Sequence, residues 1–175
     1  GLQLTPEEVG RHLALRGAPL EGIISPGQGL EDVVVGRVVS AEKHPNADRL
    51  TLCEVDGGNG VVSVVCGAPN VLEGAWYPFA PVGAVLPGDL KLEEVKIRGE
   101  ISHGMLCSAK ELGLGHDQGG IYQIHGEFTP GQSFVDAIGL DDVTMDVEIT
   151  TNRGDLLSHL GVARELASAG KGTVT

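Results

Sequence analysis

The sequence predicts a mainly β chain with flanking α structure: a Greek-key barrel inserted into a small discontinuous α+β domain. Three observations carry this prediction. Residues 31–145 break into many short β-branched or apolar segments punctuated by Gly and Pro, the pattern of small barrels and sandwiches. Residues 1–30 and 146–175 each supply one strand and one amphipathic helix instead. Helices that short do not stand alone in water, so the simplest arrangement joins 1–30 and 146–175 as two halves of one domain around a barrel of residues 31–145.

Taken in order, Thr5-Pro6-Glu7-Glu8 is a helix start, with Thr as N-cap, Pro at the first helical position and Glu three residues after the cap. The spacing predicts a helix over 5–16 with Val9, Leu13 and Leu15 on its apolar side and Gly17 as C-cap, then a strand at Ile23-Ile24. The organising stretch runs from Asp32 to Gly58. Val33, Val35 and Val38 predict a strand, the polar loop EKHPNADR comes next, and Thr51–Val55 alternates towards the turn Asp56-Gly57-Gly58-Asn59-Gly60. Val61, Val62, Val64 and Val65 carry the next strand. Beyond it come a core-facing strand at Trp76–Ala80, a turn at Leu86-Pro87-Gly88-Asp89, and an extended segment with Leu92, Val95 and Ile97. A short strand at Met105–Cys107 and a helical turn over Ala109–Leu112 complete the block. In the tail, Val143, Met145, Val147 and Ile149 alternate with Thr144, Asp146 and Glu148, a half-buried strand. Asp155 is expected to cap a last helix whose stripe is Leu156, Leu160, Ala163 and Ala167, closed by Gly170. About five strands and a helical turn fit an oligonucleotide-binding (OB) Greek-key barrel best.

Composition sets limits. The net charge is −12, and residues 31–145 hold 17 acidic against 7 basic residues. A nucleic-acid binder ordinarily carries a basic footprint, so this acidity favours other partners. No apolar run approaches membrane-spanning length and no signal-peptide pattern is present, so a soluble chain without membrane contact is expected. Cys53, Cys66 and Cys107 are too few and too scattered for a disulfide framework, which points to reduced thiols and a cytoplasmic location. His44, His103 and Cys107 fall short of the about four ligands zinc requires, so no metal is expected. No Walker loop, Ser-His-Asp arrangement or paired carboxylates offer a catalytic site.

The bases of the acidic block concentrate in the loop Lys43, His44, Asn46 and Arg49 and in the pair Lys96 and Arg98. Beside a barrel groove they would contact phosphates, with Asn70, Ser102 and Ser108 as polar partners for sugars or bases. The plainer alternative makes the cations solvated charges and Asn46 a turn residue. Stacking platforms are scarce, which forgoes roughly 1–3 kcal/mol per base. Asn152, Arg153 and Asp155 read as a structural joint, the Asn and Asp turning and capping while Arg153 bridges to a carboxylate or to a neighbouring domain.

HPNADRL with the CEVD strand, VVCGAPNV and SHGMLCSAKELGL together resemble the tRNA-binding OB module. That module occurs at the end of some methionyl-tRNA synthetases, in stand-alone tRNA-binding proteins and near the start of bacterial phenylalanyl-tRNA synthetase β subunits. VEITTNRGDLLSHLGVARELA resembles the segment directly after the module in the phenylalanyl β chain, and LTPEEVGRHLALRG resembles the segment directly before it. The resemblance implies the N-terminal portion of such a β subunit. Its partners would be tRNA and a catalytic α subunit in an α₂β₂ heterotetramer. ATP and Mg²⁺ are implied for the parent and no cofactor for this portion, which should be catalytically silent, because aminoacylation belongs to the α subunit. The editing site and the anticodon-contacting domain lie farther along the β chain. Two departures stand out: Thr151 replaces the Pro of the family's T-P-N-R, and the short apolar segment with which the family starts is absent, which suggests a truncated start. A protein–protein assembly module and a stand-alone tRNA-binding protein of the same fold remain alternatives.

Overall fold

The computed structural model describes residues 4–174. In chain order its elements are α1 (Pro6–Ala14), β1 (Leu20–Ile24), β2 (Val34–Lys43), β3 (Thr51–Asp56), β4 (Val61–Cys66), β5 (Trp76–Pro81), β6 (Val85–Leu86) and β7 (Leu90–Lys91). They continue with β8 (Val95–Ile97), β9 (Glu100–Ser102), β10 (Gly104–Leu106), α2 (Phe134–Ile138), β11 (Thr144–Val147), a 3₁₀ turn (Gly154–Leu156) and α3 (His159–Ser168). The chain forms two compact units: Gly27–Asp141, and Gly1–Pro26 together with Asp142–Thr175.

The continuous unit is a nearly closed OB-like barrel built on one antiparallel sheet of order β10-β5-β2-β3-β4. The long strand β2 serves two partners, pairing Val34–Arg37 with β5 and Arg37–Lys43 with β3. An irregularity between Val38 and Ser40 bends it, as a sheet must bend to close on itself. Closure comes at the far edges. The His103 N–H donates to the Ser63 carbonyl at 2.9 Å, and the Ser102 hydroxyl accepts the Val65 N–H at 3.1 Å. That hydroxyl in turn donates to the Gly104 carbonyl at 2.9 Å.

Both faces of the β2–β5 ribbon are buried, which explains the unbroken valine run Val33-Val34-Val35. Val38, Cys53, Val55, Val64, Tyr77, Phe79 and Leu106 fill the barrel, while Val33, Val35, Ala80 and Ile124 form a second layer with Phe134 of α2. Phe79 is bedded against glycines. A Cβ on Gly36 would stand 2.7 Å from the Phe79 Cβ, and one on Gly104 would stand 2.6 Å from the Phe79 ring, so neither position admits a side chain. The three thiols are free and buried, and burial pushes those of Cys53 and Cys107 up to about 12.

The discontinuous unit packs α1, the antiparallel ribbon β1–β11 and α3 around Val9, Leu13, Ala18, Leu156 and Leu166. The capping box forms as the sequence indicates: the Thr5 N–H donates to Glu8 Oε2 at 3.0 Å and the Glu8 N–H to Thr5 Oγ1 at 3.3 Å. Arg153 donates through Nε and Nη2 to both oxygens of Asp155, at 3.1 and 3.0 Å, and through Nη2 to Glu165 at 2.9 Å. It also donates to the Arg16 carbonyl, while Arg16 pairs with Glu165 at 3.1 Å. Chain segments more than a hundred residues apart are thereby clamped.

Local expectations fail at both flanks: Leu15, expected on the apolar side of α1, is 78% exposed. Asp155 does not cap the last helix: its carboxylate is drawn to Arg153, and Ser158 caps α3 by accepting the Gly161 N–H at 3.1 Å. Leu160 is 49% exposed, so Leu156 and Leu166 anchor this segment instead. Ala109–Leu112 is the expected helical turn: the Leu112 N–H bond to the Ser108 carbonyl closes a single turn that is not continued. Helix α2, which lies outside every sequence expectation, is framed by Ser133 as N-cap and Gly139 in the left-handed region.

Truncating Phe79 to Ala should cost about 3–5 kcal/mol in urea unfolding, since it empties the barrel interior. Ser102→Ala should cost about 1–3 kcal/mol by orphaning the Val65 N–H, and a neutral result would show that water replaces the hydroxyl. Hydrogen bonds from Arg153 hold the Asp155 carboxyl below its ordinary value. A lowered folded-state value contributes stability above the ordinary aspartate pKa of about 3.9 and loses it as pH falls through the depressed value. Asp155→Asn should therefore lower the urea midpoint at neutral pH and converge with the parent in acid.

Candidate nucleic-acid interface

The loop between β2 and β3 is a closed excursion. The His44 N–H donates to the Leu50 carbonyl at 3.0 Å, and the Leu50 N–H to the Ala47 carbonyl at 3.2 Å. His44 itself is buried, and its Nδ1 accepts the Asn46 N–H at 3.0 Å. Its Nε2 is buried and has no partner among the described residues. His44 thus shapes the loop from beneath, and Asn46 and Arg49 stand exposed on it.

The β8–β9 hairpin turns in two residues, with Ile97 opposite Glu100. Arg98 and Gly99 both take positive φ, 53° and 107°, the signature of a type I′ turn. For arginine that backbone costs about 1 kcal/mol. The sequence offers Arg where Asn or Gly would be comfortable, and it thereby puts a guanidinium at the hairpin tip.

Loop and hairpin meet. Asn46, Ala47, Asp48, Arg49, Leu50 and Arg98 line one open recess of about 460 Å³. Asn46, Arg49 and Arg98 thus border one space, large enough for a phosphate and part of its sugar. Lys43 lies at the end of β2, paired with Asp48 at 3.1 Å, both side chains largely exposed. Such a pair is worth at most about 1 kcal/mol, so the ammonium can transfer to a phosphate. Lys96 is exposed on β8. Four of the seven bases in Gly27–Asp141 thus sit on these two segments.

Asn70, Ser102 and Ser108, also singled out from sequence, do not line this recess. Ser102 is buried in the barrel closure described above. Asn70 pins Ile121, donating to its carbonyl at 2.8 Å and accepting its N–H at 2.9 Å. The Ser108 N–H and hydroxyl both donate to Glu111 Oε2, at 2.6 and 2.7 Å. Asn70, Ser102 and Ser108 spend their polar atoms on bonds inside the protein. Sequence reading missed Asp48, the carboxylate inside the recess, and the strained geometry of Arg98; the Arg-Gly pair in a tight hairpin was the signal for the latter. Of the aromatics, Trp76 lies half-buried under the Arg37 guanidinium, 5.6 Å from its ring centroid, and edge-on to Phe128 at 5.9 Å.

Residues 33–133 match the family model of a tRNA binding domain, the span that contains both halves of the recess. The chain belongs to the tRNA-binding domain family. The matched span covers most of the barrel unit Gly27–Asp141. The chain is similar over 166 residues to the phenylalanine–tRNA ligase β subunit of Nitratidesulfovibrio vulgaris, at 48% identity over 94% of this chain and 21% of that one. The corresponding protein of Syntrophotalea carbinolica is 46% identical over 95% of this chain and 21% of its own. A solved MetRS-related protein from Pyrococcus horikoshii aligns with 57% of this chain and 85% of its own, at 28% identity and a TM-score of 0.43. The chain spans about a fifth of the length of the curated relatives it matches.

Arg98→Gly is expected to leave stability unchanged or raise it by up to about 1 kcal/mol, while it weakens tRNA binding. A destabilised variant would mean that the arginine packs rather than binds.

Proposed function

We propose that this chain is the tRNA-docking portion of a phenylalanine–tRNA ligase β subunit, with RNA held at the recess formed by Asn46, Arg49 and Arg98. The supporting observation is that two arginines from separate segments line one recess in a unit of net negative charge. Arg49, Arg98 and the nearby Lys43 contact phosphates, and the Asn46 amide reaches a sugar or base edge. His44 acts as a positioning residue that holds the loop. With few stacking platforms, docking is weak and gains force as one of several contacts made by the whole synthetase.

In that assembly the catalytic α subunit, arranged as α₂β₂, supplies aminoacylation. ATP and Mg²⁺ belong to the catalytic partner in that assembly. A cytoplasmic location accords with a role in translation, and no helix among the described residues is long and apolar enough to cross a membrane. The acidity favours one other reading, in which the barrel is an assembly module that docks protein.

Titrating fluorescent tRNA with the chain separates the two. Two to four phosphate contacts imply a roughly 10- to 100-fold loss of affinity between about 50 and 200 mM salt. The double substitution Arg49→Glu and Arg98→Glu should abolish binding and flatten that dependence. Binding indifferent to both salt and the substitutions would leave the assembly reading.

A further inference from the structure

Within the discontinuous unit, a groove of about 670 Å³ runs along β11. Consecutive residues from Asp142 to Val147 line it, whereas a cavity on one face of a strand would touch only alternate residues. The groove therefore lies along the edge of β11. On its other side β11 pairs with β1, and no third described strand joins this sheet. The floor is apolar, made by Leu13, Leu156 and Val162. The cover over this core is incomplete: Val143, Met145, Val147 and Ile149 stay half-buried, and Leu157 is 76% exposed. An open edge beside an apolar floor is the geometry that accepts an added strand.

We propose that this groove receives an extended apolar segment of the same polypeptide, from outside the present residues, as a third strand on β11. The inference rests on the reading of the chain as one part of a longer β subunit, not on tRNA docking. Since the chain spans about a fifth of its curated relatives, most of such a polypeptide lies elsewhere and can supply the strand. A second copy is disfavoured. Pairing β11 with its own twin would bring Asp142, Asp146 and Glu148 against the same acidic row. The occupant is about six residues long, with apolar side chains at alternate positions over Leu13 and Val162.

Hydrogen exchange read by mass spectrometry, on the full-length protein and on this chain, tests the assignment. Residues 142–149 should exchange about tenfold or more slower in the full-length protein. Synthetic peptides tiling the rest of the full-length chain are then added singly to this chain, and one with alternating apolar residues should restore the protection. Equal exchange in both proteins overturns the proposal. So does protection that no tiled peptide reproduces, or protection that appears in this chain alone as its concentration rises, which assigns the groove to a second copy. None of these outcomes depends on whether tRNA binds, so failure of the docking site and failure of the groove are separately visible.

Discussion

Closure of the barrel onto β4 is the constraint on which the rest depends. The His103 N–H and the Ser102 hydroxyl fasten the end of the β8–β9 hairpin to Ser63 and Val65. Strand β4 pairs along its whole length with β3, and β3 begins where the His44–Leu50 loop ends. Two hydrogen bonds thus carry Arg98 to the loop that bears Arg49. Without them the two guanidiniums would belong to separate, mobile surface segments, each a solvated charge of little consequence. The glycines around Phe79 make the same closure sterically possible, because β2, β5 and β10 can approach only where no Cβ intervenes.

An acidic protein can hold an anion where its few cations are concentrated. Screening at physiological salt confines exposed charges to about 8 Å, so an anion at the recess senses mainly the charges beside it, Arg49 and Arg98 among them. Asp48 is another, since it lines the recess itself. It tempers the positive field, and its pairing with Lys43 gives the site a partner to exchange when a phosphate arrives. On the proposed reading, a modest, salt-sensitive contact suits a module that adds one more point of attachment.

Much of this was readable in the sequence because local rules and tertiary demands agree. The valine run of β2, the Asp-Gly-Gly-Asn-Gly turn and the Thr5 capping box each satisfy propensity and packing at once. The polar end of β2 was not readable: Glu42 and Lys43 remain in the strand because Leu52 and Thr51 pair with them, whatever their own pattern. Asn70, Ser102 and Ser108 show a deeper limit. The hydrogen-bond partners that the fold gives a polar side chain cannot be read from its neighbours in the chain: those of Asn70 and Ser102 lie 51 and 37 residues away. Asp155 was misassigned for a related reason, since Arg153 outcompetes a helix terminus for its carboxylate.

Backbone chemical-shift mapping of the chain, as tRNA is added at low salt, tests the docking site most directly. Perturbations should centre on residues 44–50 and on Lys96–Gly99, spare Asn70 and Ser108, and vanish when Arg49 and Arg98 are both reversed to Glu. Shifts confined to the discontinuous unit, or to the segment Cys66–Asn70 with Ser108–Ile121, would contradict that site and move the RNA contact elsewhere.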